Sequence, residues 1–251
     1  MIVPGVVSAT FKKRSAEEVI ALAVKAGLKA VEWSEGFHVT CGDITGASHL
    51  AALTAINGLE VAAYGSYYRL GAGMDFTSRI RTAKALGAKV IRIWGGEKAS
   101  EALGADERSA LVLEARRISS QAGGEGLTAA LEWHKNTVTD TNESALRFLD
   151  EVDSPYLRTL WQPTTALSVE ERTEGLKAVG ARLVNLHVYY WDENGRLPLS
   201  GGKDDWLGYF SAVDGNDHYA LLEFVKGDSP EQFLEDASVL REWLRKGGYY
   251  G

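Results

Sequence analysis

Four polar residues in the second half of the chain stand at the ends of short apolar segments: Glu132, Gln162, His187 and Glu223. A polar side chain in such a position is costly to bury unless it has a partner. Two carboxylates directed at one point repel each other unless a cation or a proton lies between them. Carboxylate, amide and imidazole ligands suit a hard-to-borderline divalent ion. The four residues therefore predict a site for one Mn²⁺, Mg²⁺ or Co²⁺ ion, with Zn²⁺ as the alternative.

Each of these residues also has an ordinary structural explanation when it is taken alone. A glutamate at a strand end is more often a salt-bridge or capping partner, and a lone histidine is more often a hydrogen-bonded rim residue. The interpretation as a site depends on their occurrence at four consecutive predicted strand ends.

The elements that would position these residues alternate between short β-branched or apolar runs and segments with helical periodicity. Strands are predicted at 5–9, 30–33, 59–64, 90–94, 128–133, 158–162, 183–188 and 219–225. Helices are predicted at 15–26, 48–57, 76–86, 106–122, 142–152, 168–179, 206–213 and 230–244. Ser15 and Glu18 have the spacing of a capping box. Eight strand–helix units about 30 residues apart indicate parallel strands joined by helical crossovers.

This order predicts an α/β fold, a single TIM barrel of the (β/α)₈ type that occupies residues 1–251 as one domain. A doubly wound open sheet is the alternative, but it usually brings a glycine-rich phosphate loop after the first strand. The segment Ser8-Ala9-Thr10-Phe11 contains no glycine. In a TIM barrel the chemistry takes place where the strands end, because the interior is packed and the C-terminal rim is open.

Composition excludes several classes of function. The formal net charge of −7 argues against a nucleic-acid partner that binds a broad basic face. No run of 18 apolar residues occurs, so we expect no membrane-spanning helix. Cys41 is the only cysteine, which rules out an intramolecular disulfide and fits a reducing compartment. The N-terminus lacks the pattern of a secretory signal, and we expect a cytoplasmic protein.

Several segments resemble the xylose isomerase-like sugar isomerase and epimerase barrels, which include ketose 3-epimerases, hydroxypyruvate isomerases and inosose dehydratases. The resemblance covers nearly the whole chain and includes Val31-Glu32-Trp33, Ile91-Arg92-Ile93, Leu131-Glu132-Trp133-His134, Leu186-His187-Val188 and Leu222-Glu223-Phe224. It implies that Glu132 and Glu223 bind the metal and act as the acid/base pair. The family usually has Asp where this chain has Gln162, so one negative charge is missing from the predicted ligand set.

The chemistry that the resemblance implies is removal of a proton next to a carbonyl group. A metal that holds the carbonyl and the adjacent hydroxyl oxygen stabilises the enediolate as its charge develops. We therefore predict a divalent-metal-dependent isomerase or epimerase that acts on a ketose, a keto acid or a related small carbohydrate. The expected partner is this small molecule, and a homodimer is expected because barrels of the family often pair.

Five further residues are candidates for substrate binding: His134, Arg69, Trp94, Tyr68 and Arg196. His134 follows Glu132 by two residues and should share its side of the strand. Arg69 could hold an anionic group, and its structural alternative is a salt bridge between elements. The aromatic residues could form a wall against sugar C–H faces, and their alternative is rim packing.

Four other features are weaker. Glu32 and His38 follow the second predicted strand and are candidate polar groups near the same rim. Gly201-Gly202-Lys203 and Lys226-Gly227-Asp228-Ser229 resemble places where a barrel takes a phosphate on backbone N–H groups, although glycine there also serves turn geometry.

Other functions remain open at this point. A metal-dependent lyase, dehydratase or hydrolase could use the same scaffold, with His134 or His187 as the acid that assists a leaving hydroxyl. A nuclease would need a richer set of metal ligands than five histidines and an acidic chain offer. A sugar-binding barrel without catalysis is the third alternative, and Gln162 is the residue that supports it.

Overall fold

Eight parallel strands close into a barrel in the computed structural model, which describes residues 1–250. The barrel strands are β1 (Ile2–Val7), β2 (Ala30–Ser34), β3 (Glu60–Arg69), β4 (Val90–Trp94), β5 (Thr128–Glu132), β6 (Leu157–Trp161), β7 (Leu183–Val188) and β10 (His218–Leu222). Neighbours in the barrel follow the chain order, and β10 pairs with β1 to close it. The predicted TIM barrel is confirmed.

Eight helices cover the outside of the barrel, one after each barrel strand. They are α1 (Ala16–Lys25), α2 (Ile44–Ile56), α3 (Phe76–Leu86), α4 (Ala105–Gly124), α5 (Asn142–Val152), α6 (Val169–Val179), α7 (Lys203–Ala212) and α8 (Pro230–Lys246). Ser15 and Glu18 form the predicted capping box at the start of α1. Pro230 occupies the first turn of α8, where its missing N–H is tolerated. No helix among residues 1–250 combines the length and the apolarity that a membrane span requires.

A small antiparallel hairpin interrupts the pattern after β7. Its strands are β8 (Tyr190–Asp192) and β9 (Gly195–Leu197), and Trp191 pairs with Arg196. The hairpin lies at the C-terminal rim of the barrel because it follows the end of β7.

Two strand boundaries differ from the prediction in ways that affect the site. Strand β3 continues to Arg69 through an irregularity in its pairing with β4 between Gly65 and Arg69. Tyr68 and Arg69 therefore lie in a strand, although the sequence suggested a loop. Strand β10 ends at Leu222, so Glu223 is the first residue beyond it, and its backbone N–H donates to the carbonyl oxygen of Val188 at 3.0 Å.

Candidate metal centre and active site

Glu132, His187 and Glu223 converge inside the C-terminal mouth of the barrel. One ligand atom from each lies within 4.8 Å of the others. His187 Nδ1 is 3.3 Å from Glu223 Oε2 and 3.8 Å from Glu132 Oε1. All three side chains are at least 95% buried. Three of the four predicted ligands are thus brought together in a confined space.

The barrel topology explains this convergence. Strands β5, β6, β7 and β10 are consecutive neighbours, and each ends at the same rim. Leu221 of β10 is the register partner of His187, so Glu223 lies two residues further along, just past the end of β10. Glu132 is the last residue of β5 and faces Leu160 of β6. Inward-pointing residues at these ends share one volume because the barrel is closed.

Gln162 lies beside this cluster as the first residue after β6. Its Nε2 donates to the carbonyl oxygen of Trp133 at 2.6 Å and to Glu132 Oε1 at 3.2 Å. An amide nitrogen cannot bind a metal ion, so only the side-chain oxygen of Gln162 is available as a ligand. Gln162 as a ligand remains a prediction.

Arg92 holds Glu132 in its ionised form. Arg92 Nη1 donates to Glu132 Oε2 at 2.9 Å, and the Trp94 indole N–H donates to the same oxygen. Burial raises the pKa of the Glu132 carboxyl, but the charges of Arg92 and His187 and the Trp94 hydrogen bond outweigh burial, and the pKa lies below its usual value. Burial lowers the pKa of the Arg92 guanidinium, but the carboxylates of Glu132 and Glu32 outweigh burial, and the pKa lies above its usual value. The guanidinium therefore stays charged.

Glu32, one of the two candidate polar groups after the second predicted strand, is a component of the site. It is fully buried, and its Oε2 lies 3.1 Å from His187 Nε2. Its Oε1 has no hydrogen-bond partner within residues 1–250, and Arg92 Nε is 3.7 Å from it. A Cβ atom on Gly65 would approach this oxygen to 2.6 Å, so glycine at that position leaves the space that Glu32 occupies. The signal in the sequence was a glutamate between Val31 and Trp33, inside an apolar strand.

The environment of His187 favours a positive charge at Nδ1, which either a proton or a metal ion would supply. Its Nδ1 has no hydrogen-bond partner in the described chain and faces two carboxylates. Burial lowers the pKa of the His187 imidazole, but Glu223 and Glu32 outweigh burial and raise the pKa well above its usual value. With Glu32 accepting from Nε2, the free Nδ1 and the oxygens of Glu132 and Glu223 form a donor set that fits a divalent metal ion.

Trp94, His134 and Arg69 form one wall at the ends of β3, β4 and β5. The His134 ring stacks on Trp94 with centroids 5.3 Å apart, and the Arg69 guanidinium lies 3.7 Å from the Trp94 ring centroid. His134 Nδ1 is 2.7 Å from the carbonyl oxygen of Lys135. Arg69 Nε also lies 3.6 Å from Glu97 Oε1, so Arg69 forms the salt bridge that was the alternative to substrate binding. The structure places three of the five predicted substrate-binding residues together.

The prediction that Tyr68 binds substrate is wrong, because its side chain does not face the barrel mouth. Its side chain is fully buried, packs edge-on against Phe76 of α3, and donates its hydroxyl to Glu114 of α4. Successive strand residues point to opposite faces, and the extension of β3 turns Tyr68 towards the helices. Its neighbour Tyr67 has the position expected of Tyr68, with its ring 5.3 Å from that of Trp94.

Arg196 lies apart from this wall, in β9. Its Nη1 contacts Asp228 Oδ1 at 2.5 Å, and its guanidinium is 4.8 Å from the Phe224 ring centroid. The glycines at 201 and 202 make room for the Tyr190 ring, since a Cβ on Gly202 would meet it at 2.4 Å. His38 is outside the site, because its ring nitrogens contact Ser8 Oγ and the carbonyl oxygen of Arg14.

Proteins similar to this chain include one relative in sequence and several solved structures with the same fold. The 3-dehydroshikimate dehydratase of Bacillus anthracis is 31% identical over 209 residues, which cover 72% of this chain and 75% of the relative. The crystal structure of a probable 3-DHS dehydratase from Bacillus anthracis superimposes with a TM-score of 0.81 at 18% identity, over 96% of this chain and 99% of that one. D-Psicose 3-epimerase from Clostridium cellulolyticum H10 has a TM-score of 0.72 at 14% identity, with both chains fully covered.

A match to one protein family extends along most of the chain. Residues 20–243 match the family described as the xylose isomerase-like TIM barrel. This agrees with the resemblance noted at Glu132, His187 and Glu223. The chain belongs to the xylose isomerase-like TIM barrel family.

Proposed function

We propose that the protein is a divalent-metal-dependent enzyme that removes the proton next to the carbonyl group of a small polyhydroxylated ketone or keto acid. The observation that carries this proposal is the buried Nδ1 of His187, which has no hydrogen-bond partner and faces Glu132 and Glu223. Glu132, His187 and Glu223 would hold the ion, and Gln162 Oε1 is the proposed fourth ligand. The ion, when bound, would polarise the carbonyl and stabilise the enolate or enediolate.

Glu132 and Glu223 have different surroundings, which supports different roles. Glu132 Oε2 already accepts from Arg92 and Trp94, and these donors make the carboxylate a weak base. Glu223 receives no hydrogen bond from an arginine or tryptophan of the described chain. We therefore assign the removal of the proton to Glu223. Glu132 helps to hold the ion and does not remove the proton. Both stay essential in this proposal.

The fate of the enolate divides the proposal into two reactions. Isomerisation needs the proton returned to the neighbouring carbon, and Glu223 can return the proton that it removed. Epimerisation needs a proton from the opposite face, and Glu132, which is ionised beside Arg92, would first have to take one up from solvent. Dehydration needs an acid beside the leaving hydroxyl, and His134 stands two residues after Glu132 with its Nε2 free of protein partners. The dehydratase relative from Bacillus anthracis favours dehydration, and so does the weak basicity that Arg92 imposes on Glu132.

Solvent isotope exchange tests both reactions in one experiment. The Mn²⁺-loaded protein is incubated in D₂O with a panel of ketoses, keto acids and cyclic hydroxy ketones. Deuterium in the recovered substrate indicates removal of the proton, and deuterium in an isomer or epimer indicates isomerisation or epimerisation. A conjugated product that absorbs in the ultraviolet indicates dehydration. If no compound exchanges or eliminates, although an anomalous-scattering map shows Mn²⁺ between the three residues, the proposal is wrong and a binding protein is favoured.

Matched variants test the residues. Glu223→Gln and Glu132→Gln should each reduce turnover by orders of magnitude while metal is still bound, because proton transfer and charge stabilisation are both lost. Glu60→Gln is the control, since Glu60 is exposed at the opposite end of the barrel. Near-normal turnover in either site variant contradicts the assigned roles.

A further inference from the structure

A groove of about 620 Å³ opens at the catalytic rim, between the loops that follow the first, seventh and eighth barrel strands. Thr10 and Phe224 are among the residues that line it. The charged residues that line it are four cations and two carboxylates: Lys12, Lys13, Arg14, Arg196, Glu18 and Asp228. The proposed chemistry at Glu132, His187 and Glu223 does not use this groove.

The charges in the groove do not cancel. Arg14 is paired with Glu18 at 3.0 Å, and Arg196 is paired with Asp228 at 2.5 Å. Lys12 and Lys13 have no carboxylate within 4.0 Å anywhere in residues 1–250. Two positive charges are therefore left over in a chain whose formal net charge is −7. A local excess of this sign attracts an anion.

Lys12 is held in place by aromatic rings. Its ammonium group lies 5.0 Å from the ring centroid of Phe37 and 5.0 Å from that of Phe224. Contacts of this kind contribute about 0.5–1 kcal/mol each at exposed sites. The rings hold the ammonium without using its N–H groups as a carboxylate would. These donors stay available to oxygen atoms of a ligand.

Phe224 connects the groove to the candidate metal centre. It directly follows Glu223, and its φ of 52° lies in the left-handed region that few non-glycine residues adopt. Its backbone N–H donates to Thr10 Oγ1 at 3.1 Å, and this hydrogen bond stabilises the unusual backbone. The ring is thereby placed with the ammonium of Lys12 and the guanidinium of Arg196 each within 5.0 Å of its centroid. The groove is therefore lined by the residue that directly follows Glu223 in the chain.

We propose that this groove binds the anionic group of the substrate, a carboxylate or a phosphate, with Lys12 as the direct contact and Lys13 and Arg196 as supporting charges. The loops after the seventh and eighth strands are a frequent location of phosphate sites in TIM barrels. Gly227 and Asp228 line the groove. Both belong to the segment 226–229, whose sequence resembles phosphate-binding turns. The identification of the ligand as the substrate rests on the proposed function, whereas the anion site itself does not.

The test is a titration of the protein, freed of metal with EDTA that is then removed by dialysis, with inorganic phosphate and, separately, with acetate. Binding is followed by NMR at the backbone amides of Thr10 and Gly227, which line the groove. The variants are Lys12→Gln, Lys12→Arg and, as a control at the opposite end of the barrel, Lys89→Gln. We expect Lys12→Gln to weaken binding about tenfold or more, because a charge-assisted hydrogen bond is lost. Lys12→Arg and Lys89→Gln should bind within about twofold of the unchanged protein.

The outcomes separate the two ligand classes and the two proposals. Tighter binding of phosphate indicates a phosphorylated substrate, and equal or tighter binding of acetate indicates a carboxylated one. The groove assignment is overturned if neither anion shifts these amides, or if Lys12→Gln binds as tightly as the unchanged protein. Because no turnover is measured, a negative isotope-exchange result would refute the proposed function without changing this result.

Discussion

Glu32 and His187, which are 155 residues apart in sequence and both fully buried, meet with Oε2 and Nε2 separated by 3.1 Å. Their strands are not neighbours, because β1 and β10 lie between β2 and β7. A carboxylate on one imidazole nitrogen fixes the tautomer and leaves the other nitrogen for the metal. Glu32 therefore orients His187 Nδ1 towards Glu132 and Glu223.

Glu32→Gln should lower the affinity for Mn²⁺ by about 10- to 100-fold, because a neutral amide orients the imidazole less firmly and makes it a weaker donor. Affinity is measured by isothermal titration calorimetry. Glu60→Gln is the control and should leave the affinity unchanged, because Glu60 is exposed at the other end of the barrel, at the start of β3. Equal affinities for all three proteins would show that Glu32 does not orient a metal ligand.

Divalent metal should stabilise the folded chain, because three buried ligands exist together only in the folded state. At a free metal concentration of 100 times Kd the gain is about 2.7 kcal/mol. For a chain of this size that corresponds to a rise in Tm of roughly 5–10 °C, measured by calorimetry.

His187→Ala should abolish this rise in Tm, because it removes the buried nitrogen ligand. His49→Ala is the matched control, since His49 is exposed on α2. A rise in Tm that persists in His187→Ala would place the ion elsewhere.

Gly65→Ala should destabilise the protein by about 1–3 kcal/mol, the usual result of forcing an atom into a packed interior. The new Cβ would lie 2.6 Å from Glu32 Oε1 and 3.3 Å from Glu32 Cγ. Chemical denaturation measures the change in the free energy of unfolding.

Gly208→Ala is the control for this effect, since a Cβ there meets nothing within 4 Å and the residue lies within α7. Replacing glycine in a helix should be neutral or stabilising by up to about 1 kcal/mol. In a Glu32→Ala background Gly65→Ala should be less costly, and an unchanged cost would assign the strain to another contact.

Gln162→Glu should have opposite effects without and with metal. Without metal, a second carboxylate beside Glu132 and the loss of the 2.6 Å hydrogen bond to the Trp133 carbonyl oxygen should lower the free energy of unfolding. With Mn²⁺ the added charge should raise the affinity, by about tenfold. Calorimetric unfolding and metal titration measure the two effects.

Gln162→Ala distinguishes ligation from charge. It should weaken Mn²⁺ binding if the amide oxygen is a ligand. If Gln162→Ala binds Mn²⁺ as well as the unchanged protein, Gln162 supports Glu132 and does not contact the ion.

Local sequence patterns determined most of the fold. Alternating apolar runs and helical periodicity identified all eight strand–helix units, and the Ser15–Glu18 capping box appears where its spacing predicted it. These features depend on neighbours within a few residues, which a sequence shows directly. The strand-end positions of Glu132, His187 and Glu223 followed from the same periodicity, once a closed barrel was assumed.

Only the tertiary structure decided which side chains meet across the barrel. Closure of the barrel brings Glu32 to His187. Arg92 points inward, between the carboxylates of Glu32 and Glu132. The irregular pairing of β3 with β4 directs Tyr68 into the core and leaves Tyr67 beside Trp94. The left-handed backbone at Phe224 brings its ring to Lys12, more than 200 residues earlier. These contacts depend on register, closure and strained backbone, and none of these has a signature within one segment of sequence.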